Sequence, residues 1–162
     1  MKANHWRHRD EKLKKPLHYP ECGLDDVYLV SGYEAVKTPY GKGIAVKNVD
    51  ALLRAIGCKL ATEKKSLNNK ELRFLRNQME LTQSELGEFV GLSVQQVARW
   101  EKGEYSIPAP AERLVRLLFI QHAGGNVDLR QLLRKLEKNA APTKEVLVFE
   151  KTAKGWHTKK AA

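Results

Sequence analysis

The chain has 162 residues, 42% of them hydrophobic and 30% charged, with a formal net charge of +10 and a pI near 9.6. That length suits one ordinary domain, or two small ones sharing a core. No apolar run approaches the ~20 residues that span a bilayer, and the opening MKANHWRHRDEKLKK lacks the apolar segment of a secretory signal. A cytoplasmic protein with no membrane partner is therefore expected. Cys22 and Cys58 lie far apart, which fits reduced thiols better than a disulfide scaffold. The basic excess serves solubility or a polyanionic partner, and charge alone does not choose between them.

Residues 1–18 are basic, rich in histidine and without periodicity, which predicts a flexible arm. VYLV and GIAV are short β-branched runs separated by SGYEAVKTPYGKG, whose Pro39–Gly43 segment is rich in turn formers. They predict a small antiparallel β unit. In NVDALLRAIGCKLAT, Asn48 is a candidate cap, and Val49, Leu52, Leu53, Ile56 and Leu60 form one helical stripe. Residues 19–64 thus read as a small β-α domain, closed by the polar TEKKSLNNKE.

Five helices are then predicted over Lys70–Met79, Gln83–Val90, Val94–Lys102, Ala111–His122 and Val127–Lys138, making 65–139 one helical domain. The fourth follows PAP, where proline suits a first turn. Leu129, Leu132, Leu133 and Leu136 make an i, i+3, i+4, i+7 stripe on the fifth, suited equally to a dimer interface or to inward packing. EVLVFE and Trp156–His157, around the turn-like KTAKG, predict a C-terminal strand and hairpin with a basic tail over 140–162. The fold class expected is α+β, mainly α.

The chemistry concentrates in LTQSELGEFVGLSVQQVARWEKG, Leu81 to Gly103. Thr82 is a candidate cap, with Glu85 near the positive helix end. Leu86 and Val90 point inward, and Gly87 permits a close crossing. Gly91 suits a left-handed helix stop, Leu92 is expected behind the turn, and Ser93 caps the next helix. Val97 and Trp100 then face the core, leaving Val94, Gln95, Gln96 and Arg99 outward, with Lys102 at the end. Two amphipathic helices joined by a short glycine turn define a helix-turn-helix. On an anonymous helix that polar face is ordinarily just solvated. Inside this motif it reads as a probe for the major groove, since Gln pairs bidentately with adenine, Arg with guanine, and an apolar Val94 suits a thymine methyl.

This stretch resembles the helix-turn-helix of the phage repressor/Cro-type (XRE) regulators, with TQSELG, the central glycine and WEKG in place, and the wider similarity runs from about Leu67 to Leu136. The resemblance implies a five-helix, repressor-like domain that binds double-stranded DNA sequence-specifically, usually as a homodimer, to regulate transcription. Carried over by position, it implies that Val94, Gln95, Gln96 and Arg99 enter the major groove. Gln83 would contact a phosphate, and Arg76 and Glu101 would form a structural ion pair. Ser93 and Lys102 are read with Gln83 as fixing register on phosphates. A repressor acting on an inverted repeat is the leading expectation.

YPECGLDDVYLVSGYEAVKTPYGKGIAVKNV ahead of such a domain resembles the YgiT/MqsA-type regulators, several of which neutralise a protein toxin. This implies an alternative role as an antitoxin with a toxin partner. Those relatives hold zinc through paired C-x-x-C motifs, whereas Cys22 has no cysteine two residues away. No metal and no other cofactor is expected. Tyr28, Tyr33 and Tyr40 suit a small core or a partner surface. With no Walker loop, G-x-S-x-G or H-E-x-x-H, enzyme activity and catalytic residues are not expected.

Overall fold

Two short β-branched runs at opposite ends of the chain are too apolar to be left as isolated hairpins, and they cover each other. The computed structural model describes residues 16–138 and 146–159. β1 (Leu17–His18) lies antiparallel to β2 (Val27–Leu29), with a single 3-10 turn at Pro20–Cys22 between them. β2 then runs parallel to β5 (Leu147–Thr152), in register Val27 with Leu147 and Leu29 with Phe149. β5 turns back antiparallel into β6 (Gly155–Lys159). The sheet order is β1-β2-β5-β6, so the first and last described segments build one sheet. Val27, Leu29 and Phe149 are fully buried there.

β3 (Tyr33–Thr38) and β4 (Gly41–Val46) form a separate hairpin, with Tyr33 opposite Val46 and Thr38 opposite Gly41. The expected antiparallel unit with its turn in Pro39–Gly43 is this hairpin, but its strands are YEAVKT and GKGIAV, while VYLV goes to the other sheet. Both runs have the composition of strands, and composition does not choose a partner. The last two residues assigned to the flexible arm, Leu17 and His18, are strand β1; residues 1–15 of that arm lie outside the described residues.

Six α-helices occur among the described residues: α1 (Val49–Thr62), α2 (Asn69–Gln78), α3 (Gln83–Val90), α4 (Val94–Lys102), α5 (Ala109–His122) and α6 (Leu129–Lys138). With the strands they make an α+β fold. α1 links sheet to bundle. Its N-terminus receives the Trp156 indole, whose N–H donates to the carbonyls of Lys47 (3.2 Å) and Asn48 (3.3 Å). At its middle, Gly57 lies so close to α5 that a Cβ would stand 2.2 Å from Phe119 Cζ. At its C-terminus, the buried Arg116 of α5 donates Nη1 to the carbonyls of Leu60 (2.5 Å) and Ala61 (3.2 Å), while Nε and Nη2 hold Glu112. Cationic N–H groups at a helix C-terminus satisfy the carbonyls the helix leaves open.

Helix bounds shift where capping overrides periodicity. α5 starts at Ala109, two residues before the periodic run, with Pro110 in its first turn. α6 starts at Leu129, because Asp128 accepts from the backbone N–H of Arg130 (2.9 Å) and Gln131 (3.2 Å). On α6 the leucine stripe divides: Leu132 is buried, Leu133 and Leu136 are partly covered, and Leu129 is 45% exposed.

Candidate nucleic-acid interface

α3 and α4 are fixed by their ends. Thr82 and Glu85 form a reciprocal capping box, the Thr82 hydroxyl accepting from the Glu85 N–H (3.1 Å) and the Glu85 carboxylate from the Thr82 N–H (2.7 Å). These bonds to the charged form hold the Glu85 carboxyl below its usual range. Gly91 stops α3 in the left-handed region at φ 72°, and the Leu92 N–H closes back onto the Gly87 carbonyl at 2.8 Å. Gly87 answers to space: a Cβ there would meet the Leu92 carbonyl oxygen at 2.7 Å. Leu92, expected behind the turn, is instead 43% exposed: its backbone, not its side chain, closes the crossing.

Ser93 caps α4, its hydroxyl accepting from the Gln96 N–H at 3.3 Å. Leu86, Val97 and Trp100 are buried. Val94, Gln95, Arg99 and Lys102 are exposed, and Gln96 is half-buried to one side. Gln95, Arg99 and Lys102 share an i, i+4, i+7 stripe, with Val94 at its leading end.

One ion-pair network underlies this face. Glu101 is buried on α4, and its carboxylate accepts from Arg76 of α2 through Nε (2.6 Å) and Nη2 (3.0 Å). The Arg76–Glu101 pair is thus formed. Gln83 Nε2 donates to the same carboxylate at 2.9 Å, so the side chain assigned to a phosphate is engaged inside the domain. Burial alone would raise the Glu101 carboxyl, but hydrogen bonds from Arg76 and Gln83, with the charges of Arg76 and Arg73, outweigh it and hold the group below its usual range.

Arg73, Glu104 and Tyr105 were not singled out from sequence. Arg73 donates Nη2 to the Glu101 carbonyl at 3.2 Å and approaches its carboxylate at 3.4 Å; its spacing three residues before Arg76 was the available signal. Gly103 ends α4 at φ 78°, and the Glu104 N–H bonds back to the Arg99 carbonyl at 3.0 Å. That closure lays Glu104 and Tyr105 against Arg99, and no sequence periodicity encodes it.

Among the described residues no group of three or more His, Cys, Asp or Glu is arranged to hold a metal ion; His5 and His8 lie outside them. Cys22 and Cys58 are free thiols whose pKa burial pushes up, with the Arg54 charge opposing this at Cys58. No helix among the described residues is long and apolar enough to cross a membrane.

No curated protein and no solved structure matches the chain. The family model described as Helix-turn-helix matches residues 72–117, from the first turn of α2 into α5. It leaves out the N-terminal segment that resembles the YgiT/MqsA-type regulators. The capped, glycine-hinged pair α3–α4, with its outward polar stripe, lies inside the matched span, and the chain carries a DNA-binding helix-turn-helix domain of the XRE, phage repressor/Cro type.

Proposed function

We propose that the protein is a sequence-specific transcriptional repressor that binds an inverted-repeat operator as a homodimer. The observation that carries this reading is the stripe of Gln95, Arg99 and Lys102, exposed on a helix whose other side is held by buried Val97, Trp100 and Glu101. An amide and a guanidinium on one exposed stripe can bond the edges of adenine and guanine, each good bidentate pair being worth about 1–3 kcal/mol of discrimination. Lys102 and the net charge of +10 supply sequence-independent attraction to phosphates. Ser93 uses its hydroxyl as a cap, so its phosphate contact falls to the N-terminal backbone N–H groups of α4. Gln83 reaches a phosphate with the amide hydrogen that Glu101 leaves over. Exposed Leu129, the first residue of α6, and Val127 just before it support self-association. Two recognition helices would then meet half-sites about 34 Å apart.

The test is selection of binding sites from random duplexes, followed by affinity measurements on variants. Arg99→Ala should weaken the selected site about tenfold or more and flatten preference at one base pair per half-site. Lys102→Ala should weaken every duplex alike and reduce the dependence on salt by about one ion. Arg99→Ala binding as selectively as the parent would rule out base reading by α4.

A second reading, an antitoxin that also represses its own operon, is favoured by the β3–β4 hairpin. Its tip carries a fully exposed Tyr40, and Ile44 is 47% exposed. Lys37 stands directly opposite Lys42 across the strands, a like-charge pair that suits an acidic protein surface better than folding stability. Co-purification of a stoichiometric protein partner, lost in Tyr40→Ala, would separate this reading from a repressor alone.

A further inference from the structure

Arg99 is not a free side chain waiting in solvent. Its guanidinium carbon lies 5.9 Å from the Tyr105 ring centroid, within cation–π range, and its Nε faces Glu104 Oε2 at 4.0 Å. Among the described residues its side chain forms no other hydrogen bond or ion pair. Tyr105 is 58% exposed, and the Arg99 and Glu104 side chains are about half exposed, so none of the three contributes to the core. Surface pairs of this kind add little to folding stability. A carboxylate beside a phosphate-seeking face also opposes loose binding to any duplex.

We propose that Glu104 and Tyr105 are positioning residues that buttress Arg99 for guanine. This rests on the base-reading role proposed above for Arg99. The ring supports one face of the guanidinium and Glu104 occupies the Nε side, leaving Nη1 and Nη2 to bond guanine O6 and N7. Holding a long side chain near its bound geometry before DNA arrives removes part of the ordering cost of binding. The same carboxylate disfavours placements in which Arg99 merely slides along phosphates, so it raises selectivity by penalising the wrong complex. The device follows from Gly103: its left-handed stop turns the chain back and sets residues 104 and 105 beside Arg99.

The experiment uses the full chain and its selected site, with every single-base variant and an unrelated duplex. Arg99→Ala identifies the base pair that Arg99 reads. At that pair, Tyr105→Leu should reduce discrimination about two- to fivefold, the effect of losing one exposed cation–π contact, while Tyr105→Phe keeps it. Glu104→Gln should reduce discrimination there while binding to the unrelated duplex stays level or tightens. Unchanged discrimination in both Tyr105→Leu and Glu104→Gln overturns the buttress and leaves base reading standing. So does an equal loss at every base pair, which marks a structural role. Loss in Tyr105→Phe as large as in Tyr105→Leu assigns the effect to a hydroxyl contact with DNA and overturns support by the ring. If Arg99→Ala changes no base preference, base reading by Arg99 fails first, and the buttress with it.

Discussion

Glu101 shows how one residue sets the orientation of a whole face. It is almost wholly buried, yet it ties α2 to α4 through Arg76 and reaches the start of α3 through Gln83. Glu101→Ala leaves Arg76 with a largely buried, uncompensated charge. It should cost about 3–5 kcal/mol in urea unfolding, the range for breaking a buried pair. The pH dependence has a definite sign. Because the folded-state pKa of Glu101 is lowered, its contribution is complete above the ordinary carboxylate pKa and fades as pH falls through the lower, folded-state value. Unfolding free energies measured across the acid range should show that loss in the parent and a shallower slope in Glu101→Gln. An equal slope in both proteins would place the acid sensitivity elsewhere. The Arg76–Glu101 pair was legible in the sequence through the family resemblance. The engagement of Gln83 was not, because a glutamine at a helix start can face a phosphate or a buried carboxylate with the same sequence around it.

At the scale of elements, the α3–α4 pair was the most legible part of the chain. Its caps, its glycine stop and its buried side are local chemistry: Thr82 with Glu85, Gly91 and Ser93 each act within a few residues. The two glycines nevertheless answer to different constraints. Gly87→Ala would drive a Cβ into the Leu92 carbonyl, a backbone atom that cannot swing aside. It should cost about 1–3 kcal/mol by overpacking and also weaken DNA binding, since the crossing of α3 and α4 must open. Gly91 has open space around its Cα, so its requirement is only conformational. Gly91→Asn should therefore be tolerated within about 1 kcal/mol, because asparagine accepts the left-handed region. Thermal unfolding and duplex affinity of the two variants would distinguish space from conformation, and equal behaviour would mean that both glycines answer to one constraint. The strands were less legible. VYLV and YEAVKT both satisfy the composition of a strand, but YEAVKT pairs with its immediate neighbour GKGIAV, while the partner of VYLV lies more than a hundred residues away.

The whole molecule is held by α1, which meets the sheet at one end and the helix bundle at the other. Phe149 is fully buried in β5, in register with Leu29 of β2, and lies in the same core as α1. Phe149→Ala should cost about 3–5 kcal/mol, as large-to-small changes in a core do. If α1 couples the two parts, the helical circular dichroism and the NMR signals of the β2 and β5 amides should move to the same lower midpoint. Separate midpoints would instead describe two independently folding parts. Arg116, buried on α5 against the last carbonyls of α1, is the polar counterpart of that coupling.

What the residues determined by themselves was everything governed by neighbours within about two helical turns: the helices, their caps and glycine stops, and the outward stripe of Gln95, Arg99 and Lys102. Such features follow from backbone sterics and from a periodicity that repeats every 3.6 residues. Only the tertiary structure decided the parallel pairing of β2 with β5 and the engagement of Gln83 by Glu101, whereas the seating of Arg99 beside Glu104 and Tyr105 is local, set by the left-handed stop at Gly103 without any periodicity to signal it. The physical reason is common to the strand pairing and the Gln83 contact. Each depends on which distant backbone groups and charges are brought within hydrogen-bonding or coulombic reach, and that is set by how the whole chain buries its apolar surface, not by the pattern of any one segment.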